Sequence, residues 1–132
     1  LLGLRESSIY GTLSLSEIIK YTNDKVSKHR LDISWFQSNL EGEIINKIHS
    51  ALKDGTEGIV INPAGYSHTS VAILDALKIL KIPIVEVHLS NVYRREDFRQ
   101  TMLTAQAASM IMSGLGKKAY YMGILALMDK ED

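Results

Sequence analysis

Two short runs, GIVI at 58–61 and IPIVEVHL at 82–89, carry apolar residues at both odd and even positions. A strand apolar on both sides must be covered on both faces, which is the condition of a strand inside a parallel sheet flanked by helices. Between them lies SVAILDALKIL at 70–80, long enough and apolar enough for the crossover helix that joins two parallel strands. This one feature excludes most all-α and all-β alternatives. It sets the frame for the rest of the chain.

The remaining segments fit that frame. Ser14 and Glu17 spell a capping box that opens a helix expected from 14 to about 28. DISWFQS at 32–38 mixes β-branched and aromatic residues and is expected to be a strand. A helix is expected over 43–52, with Ile44, Ile45, Ile48, Ala51 and Leu52 on one stripe and Glu43 and Lys47 spaced as an i, i+4 pair. Asp54-Gly55 ends it. A short polar helix is expected over 94–99, a last strand over 108–112, and a last helix from Gly116 onward. The five methionines are read as core filler, and His29 and His49 as surface or boundary residues. Strands alternating with helices predict a three-layer, flavodoxin-like α/β sandwich in one domain spanning 1–132.

Composition narrows the function classes. Fifteen basic and fifteen acidic residues balance to zero net charge, which argues against a nucleic-acid or anionic-membrane surface as the main business. With no cysteine, disulfides, thiol nucleophiles and cysteine-bound zinc are excluded. No apolar run approaches the roughly 18 residues of a membrane span. Nor does a basic-then-apolar leader stand at the start, so the cytoplasm is the expected compartment.

Ligands of open parallel sheets bind beyond the carboxyl ends of the strands. There the first run delivers NPAGYSHTS at 62–70, and the second delivers Glu86, His88, Leu89, Ser90 and Asn91. Each of these has a plain structural alternative. Asn62 before Pro63 is equally a turn former, Ser67 and Ser70 are candidate helix caps, and His68 is equally a loop histidine. Glu86 and His88 stand two apart, so on a strand they share a face. They form either a buried salt bridge or a carboxylate that orients an imidazole. Asp75 is expensive on so apolar a helix unless it finds a partner, at a subunit contact or in a site. GLGKKA at 114–119 resembles a dinucleotide-binding turn but lacks a following strand with its acidic residue, and is read as a tight strand-to-helix turn. No HExxH-type spacing supports a metal site, and none is expected.

Five stretches occur in order: LLGLRESSIYG, FQSNLEGEIINKIH, GIVINPAGYSHTSVAILDAL, IPIVEVHLSN and RREDFR. Together they resemble type II 3-dehydroquinate dehydratase, which converts 3-dehydroquinate to 3-dehydroshikimate in the shikimate pathway of aromatic amino acid biosynthesis. The resemblance runs from the first residue to the last helix. It implies a flavodoxin-like fold, a homododecamer built as four trimers, and no cofactor. It implies further that Tyr10 is the base, with Arg5 beside it on a mobile lid, and that His68 is the general acid, with Asn62 contacting substrate. Glu86 corresponds to the carboxylate associated with the acid histidine, and His88, Leu89 and Ser90 to substrate-binding positions. Arg99 corresponds to an arginine that binds substrate hydroxyls, and Asp75 to an acidic residue reaching a neighbouring subunit's site. The chemistry suits these groups: removing a proton α to a ketone and expelling a tertiary hydroxide needs a base, enolate stabilisation and an acid. A cation such as Arg5 favours tyrosinate.

Two departures from the family pattern stand out. The family opens with a strand and an asparagine-bearing loop that this sequence lacks, so roughly ten further residues are expected before Leu1 in the natural protein. QTMLTAQ at 100–106 replaces a stretch that usually contains His-Ser, which leaves its role open. The competing class is a flavodoxin-like binding or regulatory domain. It would need a Ser/Thr-Gly-rich phosphate loop or an acidic pocket, and the residues show neither.

Overall fold

The computed structural model describes residues 14–91, 96–97 and 101–129. Helix α1 is Leu15–Val26, α2 Glu41–Ser50, β1 Ile59–Ile61, α3 Val71–Ile79, β2 Ile84–His88, β3 Met110–Ser113 and α4 Ala119–Met128. Short 3-10 turns at Ala64–His68, Thr104–Ala107 and Gly116–Lys118 follow β1 and bracket β3. The three strands form one parallel sheet in the order β1-β2-β3. Ile61 lies opposite Glu86, and His88 opposite Ser113.

The centre strand shows why the layers form. Every residue of β2 is buried, and the period-two alternation sends its side chains to two different cores. Ile84 joins Ile48, Ile73, Ala76, Leu77 and Leu80 on the side of α2 and α3. Val85 and Val87 join Ile18, Leu89 and Ala119 on the side of α1 and α4. The sheet is therefore sandwiched between two helical layers, as the doubly apolar runs predicted. Gly123 lets α4 come close, since a Cβ there would stand 3.0 Å from Val60 Cγ1.

Local signals also hold. The Ser14 hydroxyl accepts from the Glu17 N–H at 3.2 Å, and Glu17 reaches back to the Ser14 N–H, completing the capping box. Ser70 caps α3 by accepting from the Ile73 N–H at 2.9 Å, and its own hydroxyl donates to Glu41. Gly114 and Gly116 adopt φ of +85° and +56°, the left-handed conformations a tight strand-to-helix turn requires.

Three expectations need correction. Residues 32–38 are not a strand. A strand exists only as a paired ladder, and no described strand lies beside this segment. Its aromatic character is used otherwise: Trp35 donates to Asn23 Oδ1 at 3.1 Å and packs edge-on against Tyr120 with centroids 5.6 Å apart. Helix α2 begins at Glu41 and ends before Leu52, which is exposed. Met128, at the end of α4, is exposed rather than core. Asp75 is exposed on α3 between the exposed Val71 and Ile79, so within the subunit its carboxylate is solvated. The short helix expected over 94–99 lies largely outside the described residues.

Candidate active site

The site is assembled where β1 and β2 end. Beyond β1, Asn62 accepts from the Ala64 N–H through Oδ1 at 3.0 Å, and this holds Ala64 in the left-handed region at φ +51°. That turn feeds the 3-10 segment Ala64–His68, pinned by the Ser67 hydroxyl on the Ala64 carbonyl at 2.7 Å and by the Tyr66 hydroxyl on the Asn39 carbonyl at 2.9 Å. Asn62 is thus the turn former that its place before Pro63 suggested. Its amide nitrogen remains for a second task, and it donates to Tyr120 Oη at 3.1 Å. Burial holds the Tyr120 phenol above its ordinary value, more than the hydrogen bond from Asn62 lowers it.

On β2, Glu86 and His88 point to the same face, as their spacing predicted. His88 Nε2 stands 2.8 Å from Glu86 Oε2, with Glu86 0% and His88 6% exposed. A buried carboxylate without partners would be costly. Glu86 has two, because its other oxygen accepts from the hydroxyl of Thr104, itself 0% exposed. Against an ionised carboxylate, which only accepts, Nε2 of His88 is the donor.

The His68 ring lies nearly parallel to that of His88, with centroids 6.5 Å apart and planes 23° from each other. Its Nδ1 stands 2.8 Å from the Thr101 carbonyl, and a carbonyl can only accept, so that nitrogen is the donor. The two imidazoles are therefore neighbours, but the carboxylate expected beside the acid histidine has both oxygens engaged by His88 and Thr104. The expected pairing of Glu86 with His68 is corrected: the oriented imidazole is His88.

The chain beyond β2 is fixed from the next strand. Gly114 N–H donates to the His88 carbonyl at 3.1 Å, Gly116 N–H to the Leu89 carbonyl at 2.9 Å, and the Ser113 hydroxyl to the Ser90 carbonyl at 3.0 Å. Asn62, His68, Glu86, His88, Leu89 and Ser90 thus converge at one end of the sheet. Asp75 does not join them, being on the outer face of α3. Arg5, Tyr10 and Arg99 lie outside the described residues. Tyr120 and Thr104 were not singled out from sequence; each reaches the site through a contact distant in the chain, with no local motif to announce it.

Comparison with known proteins identifies the arrangement. The model of the family described as "Dehydroquinase class II" matches residues 1–128. The chain belongs to the class II dehydroquinase family. A 3-dehydroquinate dehydratase from Aliarcobacter butzleri is 48% identical over 129 residues, covering 97% of this chain and 77% of the relative. One from Clostridium perfringens is 48% identical over 130 residues, covering 98% and 90%. The crystal structure of a type II dehydroquinase from Butyrivibrio crossotus superposes with a TM-score of 0.94 at 41% identity, covering 97% of this chain and 89% of that one. For a type II dehydroquinase from Propionibacterium acnes the TM-score is 0.87 at 38% identity, with 96% and 85% covered. The three-stranded parallel sheet described above is thus part of the class II dehydroquinase α/β fold.

Proposed function

We propose that this class II dehydroquinase dehydrates 3-dehydroquinate to 3-dehydroshikimate through an enolate, acting in the shikimate pathway in the cytoplasm as a single catalytic domain. The observation that carries the reading is the buried Glu86–His88 pair at the rim, 6.5 Å from a second imidazole. In this scheme Tyr10, beside Arg5, takes the proton from the carbon α to the ketone. The carbon–oxygen bond of the tertiary hydroxyl then breaks as the enolate collapses, and the departing hydroxide takes a proton to leave as water.

The acid is assigned to His88 in place of His68. A carboxylate on one nitrogen fixes the orientation of an imidazole and stabilises its protonated form, leaving the other nitrogen to deliver the proton. In His88 that nitrogen is Nδ1. His68, donating through Nδ1 to a backbone carbonyl, is placed in the scheme as a substrate-binding neighbour, with Asn62, Leu89, Ser90 and Arg99 completing the grip. Asp75, on the outer face of α3, is assigned to a neighbouring subunit's site in a homododecamer of four trimers.

The test is direct. The protein is mixed with 3-dehydroquinate and the absorbance of the conjugated enone product is followed. Formation of that absorbance supports the reading; a folded protein that leaves the substrate unchanged refutes it.

A further inference from the structure

The segment that departs from the family pattern, residues 100–106, is the part of the chain that the proposed mechanism leaves unused. Its described residues nevertheless reach one histidine and the carboxylate that holds the other. The Thr101 carbonyl takes the His68 Nδ1–H, the Leu103 N–H donates to the Ser67 carbonyl at 2.7 Å, and the Thr104 hydroxyl donates to Glu86. Four consecutive residues therefore span from one imidazole to the carboxylate that holds the other. The segment is itself anchored at its far end, where the Ser109 N–H donates to the Ile84 carbonyl at 2.7 Å at the start of β2.

We propose that Thr104 is a positioning residue, whose hydroxyl sets the Glu86 carboxylate in the one orientation that holds the His88 imidazole ready for proton transfer. The inference rests on the dehydratase reading above for its catalytic consequence, but not for its geometry. Glu86 has three side-chain torsions and is wholly enclosed, so its carboxylate orientation is decided by what its two oxygens meet. One oxygen meets His88, which can itself rotate. The other meets Thr104, a β-branched residue stiff at χ1 at the start of a 3-10 turn. Of the three groups, Thr104 is the one fixed by its backbone and rotamer, so orientation passes from Thr104 to Glu86 to His88. The bland alternative is that the hydroxyl merely satisfies a buried oxygen. In that case its loss costs stability and nothing in the imidazole changes.

Three proteins separate these readings: the unmutated chain, Thr104→Val, which keeps the shape without the hydroxyl, and Thr104→Ser, which keeps the hydroxyl. Each is measured for kcat and KM with 3-dehydroquinate, for thermal unfolding, and by nitrogen-15 NMR of the histidine rings. T104V is expected to lose kcat on the order of ten- to a hundredfold, as when a partner behind a functional imidazole is removed, with KM near that of the unmutated protein. T104S is expected to restore most of it. The ring spectrum of the unmutated protein should show a carboxylate-bound Nε2–H on His88 that weakens in T104V and returns in T104S. A T104V protein with lowered melting temperature but unaltered kcat and ring spectrum overturns the proposal. So does the absence of the Nε2–H signal in the unmutated protein, which decides the matter even if T104V fails to fold. If the unmutated protein shows the signal but does not consume 3-dehydroquinate, it is the dehydratase reading that falls, while the ring spectra still test the positioning role.

Discussion

Two histidines share the rim of this sheet, and their partners separate their duties. His88 faces a buried carboxylate, whereas His68 faces a backbone carbonyl. His88→Ala is therefore expected to lower kcat by about 10²–10⁴-fold, the usual worth of a general acid, while His68→Ala acts mainly on KM. Steady-state kinetics on the pair decide it; the reverse pattern would return the acid role to His68. A second expectation concerns Tyr120. Burial raises its phenol above the ordinary value of 10.0, so below pH 10 folded and unfolded chains carry the same neutral group and no linkage arises. As the pH climbs past 10 the unfolded chain ionises first and binds fewer protons, so stability contributed by the neutral phenol is lost. Chemical denaturation from pH 9 to 11 should show a steeper decline for the unmutated protein than for Tyr120→Phe. At neutral pH the variant should be weaker by about 1 kcal/mol for the lost bond to Asn62. The Glu86–His88 pair was legible because strand side chains repeat every second residue, so spacing alone placed both on one face. Thr104 and Tyr120 were not, since 18 and 58 residues separate them from Glu86 and Asn62.

At the scale of elements, the close seat of α4 on the sheet depends on Gly123. A side chain there meets both methyl groups of Val60, at 3.0 and 3.2 Å from the Cβ position. Val60 is β-branched and cannot swing aside without strain. Gly123→Val is expected to destabilise the fold by about 1–3 kcal/mol, as overpacking does, despite removing a helical glycine. Adding Val60→Ala should recover part of the loss, so a double variant no better than the single one in urea unfolding would refute the contact. The capping box and the Ser70 cap were read correctly because both are written within four residues. The segment 32–38 was misread for the complementary reason. Its composition favours a strand, but a strand also needs a neighbour, and no described strand supplies one.

The whole molecule presents an outward face on α3 where Val71 and Ile79, 56% and 53% exposed, flank Asp75. If that face meets a neighbouring subunit, as the proposed assembly requires, light scattering should give a mass several times the 14.7 kDa of the chain. Asp75→Arg should then shift the distribution toward smaller species and lower activity in parallel. A fully active monomer would remove Asp75 from the site. Sequence by itself determined the layered α/β architecture, because runs apolar on both faces can be covered only by helices on both sides of a parallel sheet. It also determined the caps, the tight glycine turn and the family, whose motifs lie in order along the chain. Tertiary structure alone decided that His68 is held by the Thr101 carbonyl, that Thr104 holds the far oxygen of the Glu86 carboxylate, and that Tyr120 takes the Asn62 amide. These contacts join residues brought together by the crossover of the chain between strands. No short-range pattern encodes them, because their geometry is set by how the layers pack and not by the residues beside them in the sequence.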